Sequence, residues 1–252
     1  MYFNDSYIEM ALSGSDTDLI ASKRPMAFVA ATILAGMYIG FGVLLSFTVG
    51  GMFAGAPFAK LLMGCTFGIA LSLVVICGAE LFTGNNMKLL AARMEDLIST
   101  KDMILLWVAC WLGNWVGASF LTYLFQWTGL DAGTTFTTIA NAAVAKVTAD
   151  PGMMFARGIL CNILVCLAVW AGYRTKSDAV KLIMVFWCLL AFFTTGFEHS
   201  VANMTLLNLA FLNGSITGLQ MAYNLAFVTF GNLVGGCLLA MFYKVISTVT
   251  ER

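Results

Sequence analysis

The stretch TTGFEHSVANM, residues 194–204, decides how this chain is interpreted. It holds the only histidine of the protein, His199, next to the acid Glu198, and it interrupts a long apolar run. Gly196 and Asn203 weaken a continuous helix at this point. Ionisable groups at bilayer depth are costly and usually serve function, and a broken helix in a membrane must line a cavity or be buried in protein. The stretch therefore predicts a permeation or binding site at mid-membrane, centred on His199.

The composition places this stretch in a membrane protein. Of the 252 residues, 60% are hydrophobic and 10% are charged, whereas soluble domains carry roughly 25% charged residues. The formal net charge of zero argues against nucleic acid as a partner. The seven cysteines lie in apolar stretches without a C-x-x-C motif or a histidine cluster, so we interpret them as buried hydrophobic residues and predict no metal and no cofactor.

Apolar runs of ~20 residues are long enough to span a bilayer. The second and fifth runs break at an acid, at Glu80 and at Glu198. Between the third and fourth runs lies a long segment rich in Thr and Ala. The hydropathy pattern predicts six transmembrane spans, at residues 26–49, 58–79, 103–129, 153–172, 182–197 and 221–243.

The distribution of charge predicts the orientation and the domains. Six spans place both ends on one side, and ten of the thirteen Lys and Arg residues then lie at or near that side, leaving Lys60, Lys146 and Arg157 opposite. Because cytoplasmic loops are enriched in Lys and Arg, both termini are predicted to be cytoplasmic. We expect a cytoplasmic N-terminal segment (1–25), a channel domain (26–246) and a cytoplasmic tail (247–252). The first segment is interpreted as an amphipathic helix whose apolar residues are Tyr7, Ile8, Leu12, Leu19 and Ile20.

An internal repeat recurs at a fixed offset of 118 residues. Gly-Ala-Glu at 78–80 matches Gly-Phe-Glu at 196–198, and Gly-Asn-Trp-Val-Gly at 113–117 matches Gly-Asn-Leu-Val-Gly at 231–235. Each copy holds three spans, and an odd number inserts the second copy upside down. The sequence predicts two inverted three-helix repeats, with paired helix breaks at the pathway between them.

Several side chains near the breaks are candidates for the pathway. Thr83, in the first break, offers a hydroxyl that donates and accepts, and its alternative role is to bond a freed backbone carbonyl. An imidazole has an unperturbed pKa of about 6.5, so His199 can lend a proton or a hydrogen bond to a weak-acid anion, unless it is a buried histidine bonded to a neighbour. Glu80 and Glu198 are interpreted as structural groups whose carboxylates accept bonds from freed backbone N–H groups.

Other candidates have a packing alternative. Phe67 and Leu71 share a helix face and, with Phe192, are expected either to form an apolar constriction or to pack as ordinary core. Lys146 is expected to be either a solvated lysine or a cation that attracts anions to an outer vestibule. Intramembrane amides usually bond between helices, so we favour packing for Asn114, Asn162 and Asn232, with a place in the pathway as the alternative.

At these motifs the chain closely resembles the formate/nitrite transporter family. The resemblance rests on GAELFTGNNM (78–87), CNILVCLAVW (161–170), GFEHSVANM (196–204) and the two Gly-Asn-x-Val-Gly segments. It implies an aquaporin-like six-helix protomer with broken second and fifth helices, assembled as a homopentamer in the bacterial inner membrane. The implied roles are a central group in His199 with its partner Thr83, apolar slits, an outer attractor and polar pathway residues. The resemblance implies that Phe67, Leu71 and Phe192 form the apolar slits. It implies that Lys146 is the outer attractor and that Asn162 and Asn232 are the polar pathway residues. Asn203 belongs to the second break.

The resemblance favours transport of small monovalent anions and protons, with nitrite first and hydrosulfide or formate as alternatives. The presence of Glu80, where formate channels usually have Asp, favours the nitrite branch. An integral-membrane enzyme would need a nucleophile with a base or a metal cluster, which the sequence does not offer. A water or glycerol channel would carry Asn-Pro-Ala at both breaks, and a purely structural or sensor protein does not explain two matched breaks. No arginine stands within either break, which predicts weak substrate binding.

Overall fold

A computed structural model describes residues 3–247, which form ten α-helices. Six of them are long and apolar enough to cross a membrane, so the predicted all-α membrane protein with six spans is confirmed. The predicted tail lies outside the described residues except for Ser247, which ends the last helix. The spanning helices are α2 (Pro25–Met52), α3 (Ala59–Cys77), α5 (Thr100–Trp127), α7 (Pro151–Arg174), α8 (Asp178–Thr195) and α10 (Gly218–Ser247). The others are α1 (Phe3–Lys23), α4 (Phe82–Met94), α6 (Gly133–Val147) and α9 (Ser200–Leu212).

Local sequence signals set where two of the spanning helices begin. Asp150 caps α7 by accepting hydrogen bonds from the N–H groups of Gly152 and Met153, at 2.8 and 3.2 Å, and a proline occupies the first turn. Ser99 caps α5 through the N–H of Asp102 at 3.1 Å. Such caps satisfy N–H groups that have no partner inside the helix.

Two short non-helical segments lie between apolar helices at the positions that the acids predicted. Residues 78–81 separate α3 from α4, and residues 196–199 separate α8 from α9. Both segments begin with a glycine of positive φ, +80° at Gly78 and +89° at Gly196. Because other residues adopt this conformation only with strain, the glycines allow the chain to leave the helix abruptly.

The glycines of the two Gly-Asn-x-Val-Gly segments bring helices into backbone contact. A Cβ atom at Gly117 would overlap the carbonyl oxygen of Ile33 on α2, and one at Gly235 would overlap that of Ile159 on α7. The helix pairs α2–α5 and α7–α10 therefore pack closely around the two non-helical segments, as small residues permit in membranes.

The N-terminal segment is helical, but its buried face is not the predicted one. Of the five apolar residues assigned to that face, Tyr7 alone is buried; the side chains of Ile8, Leu12, Leu19 and Ile20 are 40–54% exposed in the protomer. The buried face combines Tyr7 and Met10 with the small residues Ser6, Ala11, Gly14 and Thr17. A Cβ atom at Gly14 would overlap the carbonyl oxygen of Lys88, so α1 approaches α4 more closely than a face of large residues would allow.

The segment between the third and fourth spans contains a helix that the sequence analysis did not identify. Helix α6 buries Ile139, Ala143 and Val147, which recur every four residues on one face. The Ala-rich stretch from residue 140 to 145 favours helix, but the preceding threonines and the lack of an 18-residue apolar run concealed it. Helix α6 carries Lys146 to the site described below.

Candidate permeation site

The two non-helical segments meet at a hydrogen bond between Thr83 and His199. Thr83 lies in the first turn of α4, and His199 is the N-cap of α9. Thr83 Oγ1 lies 3.0 Å from His199 Nε2, and both residues are buried. The structure thus brings together the central pair that the sequence analysis selected.

The second ring nitrogen of His199 determines the direction of this bond. His199 Nδ1 accepts a hydrogen bond from the backbone N–H of Ala202 at 3.0 Å. A backbone N–H can only donate, so Nδ1 carries no proton, and in the neutral ring the proton sits on Nε2. His199 therefore donates to Thr83 Oγ1, and the hydroxyl hydrogen of Thr83 remains available to a third group. Protonation at Nδ1 would require the bond from Ala202 to break.

Asn232 holds the start of α9 through every polar group of its side chain. Its Oδ1 accepts from the N–H of Ser200 at 2.8 Å, and its Nδ2 donates to the carbonyl oxygens of Gly158 and Glu198 at 2.9 and 2.8 Å. The Glu198 N–H in turn donates to the carbonyl oxygen of Arg157 at 3.2 Å. The backbone groups released by the missing helical turn are thus bonded to α7 and α10.

Asn114 makes the corresponding bonds at the first non-helical segment. Its Oδ1 accepts from the N–H of Phe82 at 2.9 Å, and its Nδ2 donates to the carbonyl oxygens of Thr32 and Glu80 at 2.7 and 3.0 Å. The Glu80 N–H donates to the carbonyl oxygen of Ala31 at 3.2 Å. The two asparagines, 118 residues apart, therefore satisfy equivalent backbone groups.

Asn162 lies behind the central pair. Its Nδ2 donates to the carbonyl oxygens of Thr83 and Asn232, at 3.2 and 2.6 Å, which links the start of α4 to α10. Asn162 and Asn232 do not belong to the residues that line the cavities described below.

Each acid pairs with a lysine, not with the backbone N–H groups that the sequence analysis expected. Glu198 Oε2 lies 2.8 Å from Lys146 Nζ and also accepts from Asn203 Nδ2 at 2.6 Å. Glu80 accepts from Lys88 at 2.9 Å and from the hydroxyl of Thr17. Each carboxylate thus has one lysine and one neutral side chain as partners. Since charge-assisted bonds are stronger than neutral ones, the lysines take the carboxylates, and the asparagine oxygens take the freed N–H groups.

A cavity of about 420 Å³ opens on the Glu198 side of the central pair. Its floor includes His199 and Phe192, and its wall holds the Lys146–Glu198 pair. A second, outer cavity of about 440 Å³ shares Lys60, Met63 and Thr138 with it. The two cavities therefore adjoin each other, and we call the inner one, which reaches His199, the vestibule.

Two residues of the vestibule, Phe192 and His199, also line an apolar constriction. Phe67, Leu71, Phe192 and His199 line a space that does not admit a water-sized sphere. The rings of Phe67 and Phe192 meet edge to face at 5.5 Å, and the imidazole of His199 stacks on Phe192 at 5.9 Å. The predicted constriction residues are therefore brought together, with His199 at the boundary between a charged vestibule and an apolar gap.

Two vestibule cations were not selected from the sequence. Arg157 reaches the vestibule from α7, and Lys60 reaches it from α3. No arginine stands within either break in the sequence, but α7 packs against the second non-helical segment and brings Arg157 into the vestibule. Arg157 could have been selected from the sequence, because an arginine inside an apolar span is rare and usually functional.

Comparison with known proteins identifies the family. A family model described as formate/nitrite transporter matches residues 14–246. The nitrite transporter NirC of Escherichia coli (strain K12) is 39% identical over 240 residues, which covers 94% of this chain and 89% of NirC. The chain belongs to the formate/nitrite transporter family. A solved FNT family ion channel superposes with a TM-score of 0.91 at 37% identity, covering 96% of this chain and 98% of that one.

A second similar solved structure is described as a pentameric formate channel with formate bound. It superposes with a TM-score of 0.78 at 28% identity and covers 90% of this chain and 99% of that one. This chain thus shares its fold with a channel that binds formate. The resemblance stated from the motifs is confirmed.

Proposed function

We propose that this protein is a channel for small monovalent anions of weak acids, with nitrite as the first candidate and formate or hydrosulfide as alternatives. The observation that carries the proposal is the Thr83–His199 hydrogen bond, placed where a cationic vestibule ends at an apolar constriction. The similarity to NirC favours nitrite, and the formate-bound neighbour keeps formate as the main alternative.

The equivalent bonds of Asn114 and Asn232 support an architecture of two inverted repeats. In this architecture α3 with α4, and α8 with α9, are two broken helices, the second and fifth of an aquaporin-like protomer. Residues 26–246 form the channel domain in the bacterial inner membrane, and both termini lie in the cytoplasm. The pentameric neighbour supports a homopentamer with one pathway in each protomer.

The vestibule attracts the anion before any desolvation occurs. Three cationic side chains line it, those of Lys60, Lys146 and Arg157, against the single carboxylate of Glu198. A cleft lined by one sign of charge raises the local concentration of the opposite ion. The Lys146–Glu198 pair also prevents the carboxylate from facing the anion as an uncompensated charge.

At the central pair the anion meets a hydrogen-bond donor. Because His199 donates from Nε2 to Thr83 Oγ1, the hydroxyl hydrogen of Thr83 can point to an oxygen of the anion. The imidazole becomes a proton carrier only by giving up its bond from Ala202, and an arriving negative charge offsets part of the cost of the imidazolium by Coulomb attraction.

The apolar constriction favours the neutral acid over the anion. Burying a bare anion among Phe67, Leu71 and Phe192 costs several kcal/mol even after relaxation, whereas a protonated nitrous or formic acid avoids most of this penalty. In our proposal His199 first takes up a proton from the vestibule on Nδ1. The imidazolium then passes one proton to the anion and returns to the neutral ring, and the neutral acid crosses the constriction.

Transport by the purified protein in liposomes tests the proposal. We expect uptake of radiolabelled formate and of nitrite above that of protein-free liposomes, without ATP. Uptake should be faster at lower external pH, because protons are then more available for the transfer to the anion at His199. Uptake of neither anion above the protein-free background would contradict the proposed function.

A further inference from the structure

The vestibule holds an arginine whose guanidinium is not used by the protein. Arg157 is half-buried in the wall beside Glu198, and no side-chain hydrogen bond or ion pair of Arg157 occurs within residues 3–247. Glu198 is the adjacent acid, but its carboxylate is occupied by Lys146 and Asn203. A cation inside an apolar span usually has a partner, so the partner of Arg157 is expected to come from solution.

Lys60 adds a second unpaired cation at the outer edge of the same cavity. It lines both the outer cavity and the vestibule, and its side chain also makes no ion pair in the described range. Its Nζ lies over Gly196, where a Cβ atom would be 2.9 Å away. The backbone turn at Gly196 thus leaves room for the ammonium group over the second non-helical segment.

The two cations recognise an anion in different ways. A guanidinium is planar and presents parallel N–H groups that match the two oxygens of a planar oxyanion, whereas an ammonium acts as a point charge. Nitrite and formate each offer two coplanar oxygens with one negative charge. Hydrosulfide offers a single sulfur and cannot accept such a pair of bonds.

From this geometry we infer that Arg157 forms an oxyanion-selecting subsite in the vestibule, which binds nitrite or formate in preference to hydrosulfide before either reaches His199. Lys60 increases the capture of all monovalent anions without distinguishing among them. This inference rests on the proposed channel function and assigns the vestibule a selective step in addition to the central pair.

Competition against radiolabelled formate uptake in proteoliposomes tests the subsite. Nitrite and hydrosulfide serve as competitors, and the measured quantity is the ratio of their half-inhibitory concentrations. In the unmodified protein nitrite is expected to compete at the lower concentration. The substitution Arg157→Lys keeps the charge but removes the planar fork, so the preference for nitrite should fall by about tenfold or more, as expected for loss of one hydrogen bond to a charged group.

Two further variants separate geometry from charge. Lys60→Gln is expected to raise both half-inhibitory concentrations by the same factor and leave their ratio unchanged. Lys101→Gln, which removes an exposed cation at the start of α5, should change neither. An unchanged ratio in Arg157→Lys, with intact formate uptake, would overturn the inference while leaving the channel function in place. Absence of formate uptake by the unmodified protein would instead overturn the proposed function.

Discussion

The substitution Asn232→Leu tests whether the second non-helical segment is held by a single amide. Leucine has nearly the same size but no polar group, so the N–H of Ser200 and the carbonyl oxygens of Gly158 and Glu198 all lose their bonds from this side chain. The buried N–H left without a partner costs about 1–3 kcal/mol. The two other bonds contribute ~0.6 kcal/mol each, a typical value within membranes. The expected loss is therefore roughly 2–4 kcal/mol.

Asn208→Leu is the matched control because Asn208 is also buried but makes one side-chain bond, to Ser119 Oγ at 2.9 Å. Its loss is expected to be only ~0.6 kcal/mol. Reversible unfolding of the purified protein in mixed micelles, with increasing fractions of sodium dodecyl sulfate, measures both values. If Asn232→Leu lowered the free energy of unfolding no more than Asn208→Leu does, the argument that Asn232 holds the start of α9 would be refuted.

Two further predictions concern the vestibule pair and the topology. Lys146→Gln removes the cation that pairs with the carboxylate of Glu198, a side chain only 5% exposed, so we expect the variant to unfold at a lower temperature. Adding Glu198→Gln should restore the melting temperature but not the rate of nitrite uptake. A single variant as stable as the double variant would contradict this reasoning. Reporter fusions after Lys176 and at the C-terminus should both report the cytoplasm, and a periplasmic signal from either would overturn the orientation deduced from the charges.

The spans and their interruptions could be predicted because each depends on local composition. Apolar runs of sufficient length located six helices, and an acid two positions after a glycine located each non-helical segment. Glu80 and Glu198 are separated by one repeat offset, so the sequence also indicated that their environments correspond. Asn114 and Asn232 make matching hydrogen bonds to the backbone at the two segments.

The remaining features depend on which helices become neighbours. Arg157 and Glu198 are 41 positions apart in the sequence, and only the packing of α7 against the second non-helical segment places both in one vestibule. The lysine partner of Glu198 was missed for the same reason, since Lys146 comes from α6. Lys88, the partner of Glu80, lies in α4, the helix that directly follows that acid. The buried face of α1 was missed because it is set by the close approach of Gly14 to α4, a contact that hydropathy does not indicate.

His199→Asn is the measurement that tests the central claim most directly. Asparagine is a favoured N-cap, so its side-chain oxygen can accept from Ala202 as Nδ1 does now, and the protein should fold and assemble normally. The variant has no titratable group at the boundary between vestibule and constriction. We predict that nitrite and formate uptake by proteoliposomes loses its acceleration at low external pH or stops altogether. Uptake by His199→Asn at the unmodified rate, with the same pH profile, would contradict the proposed role of the histidine.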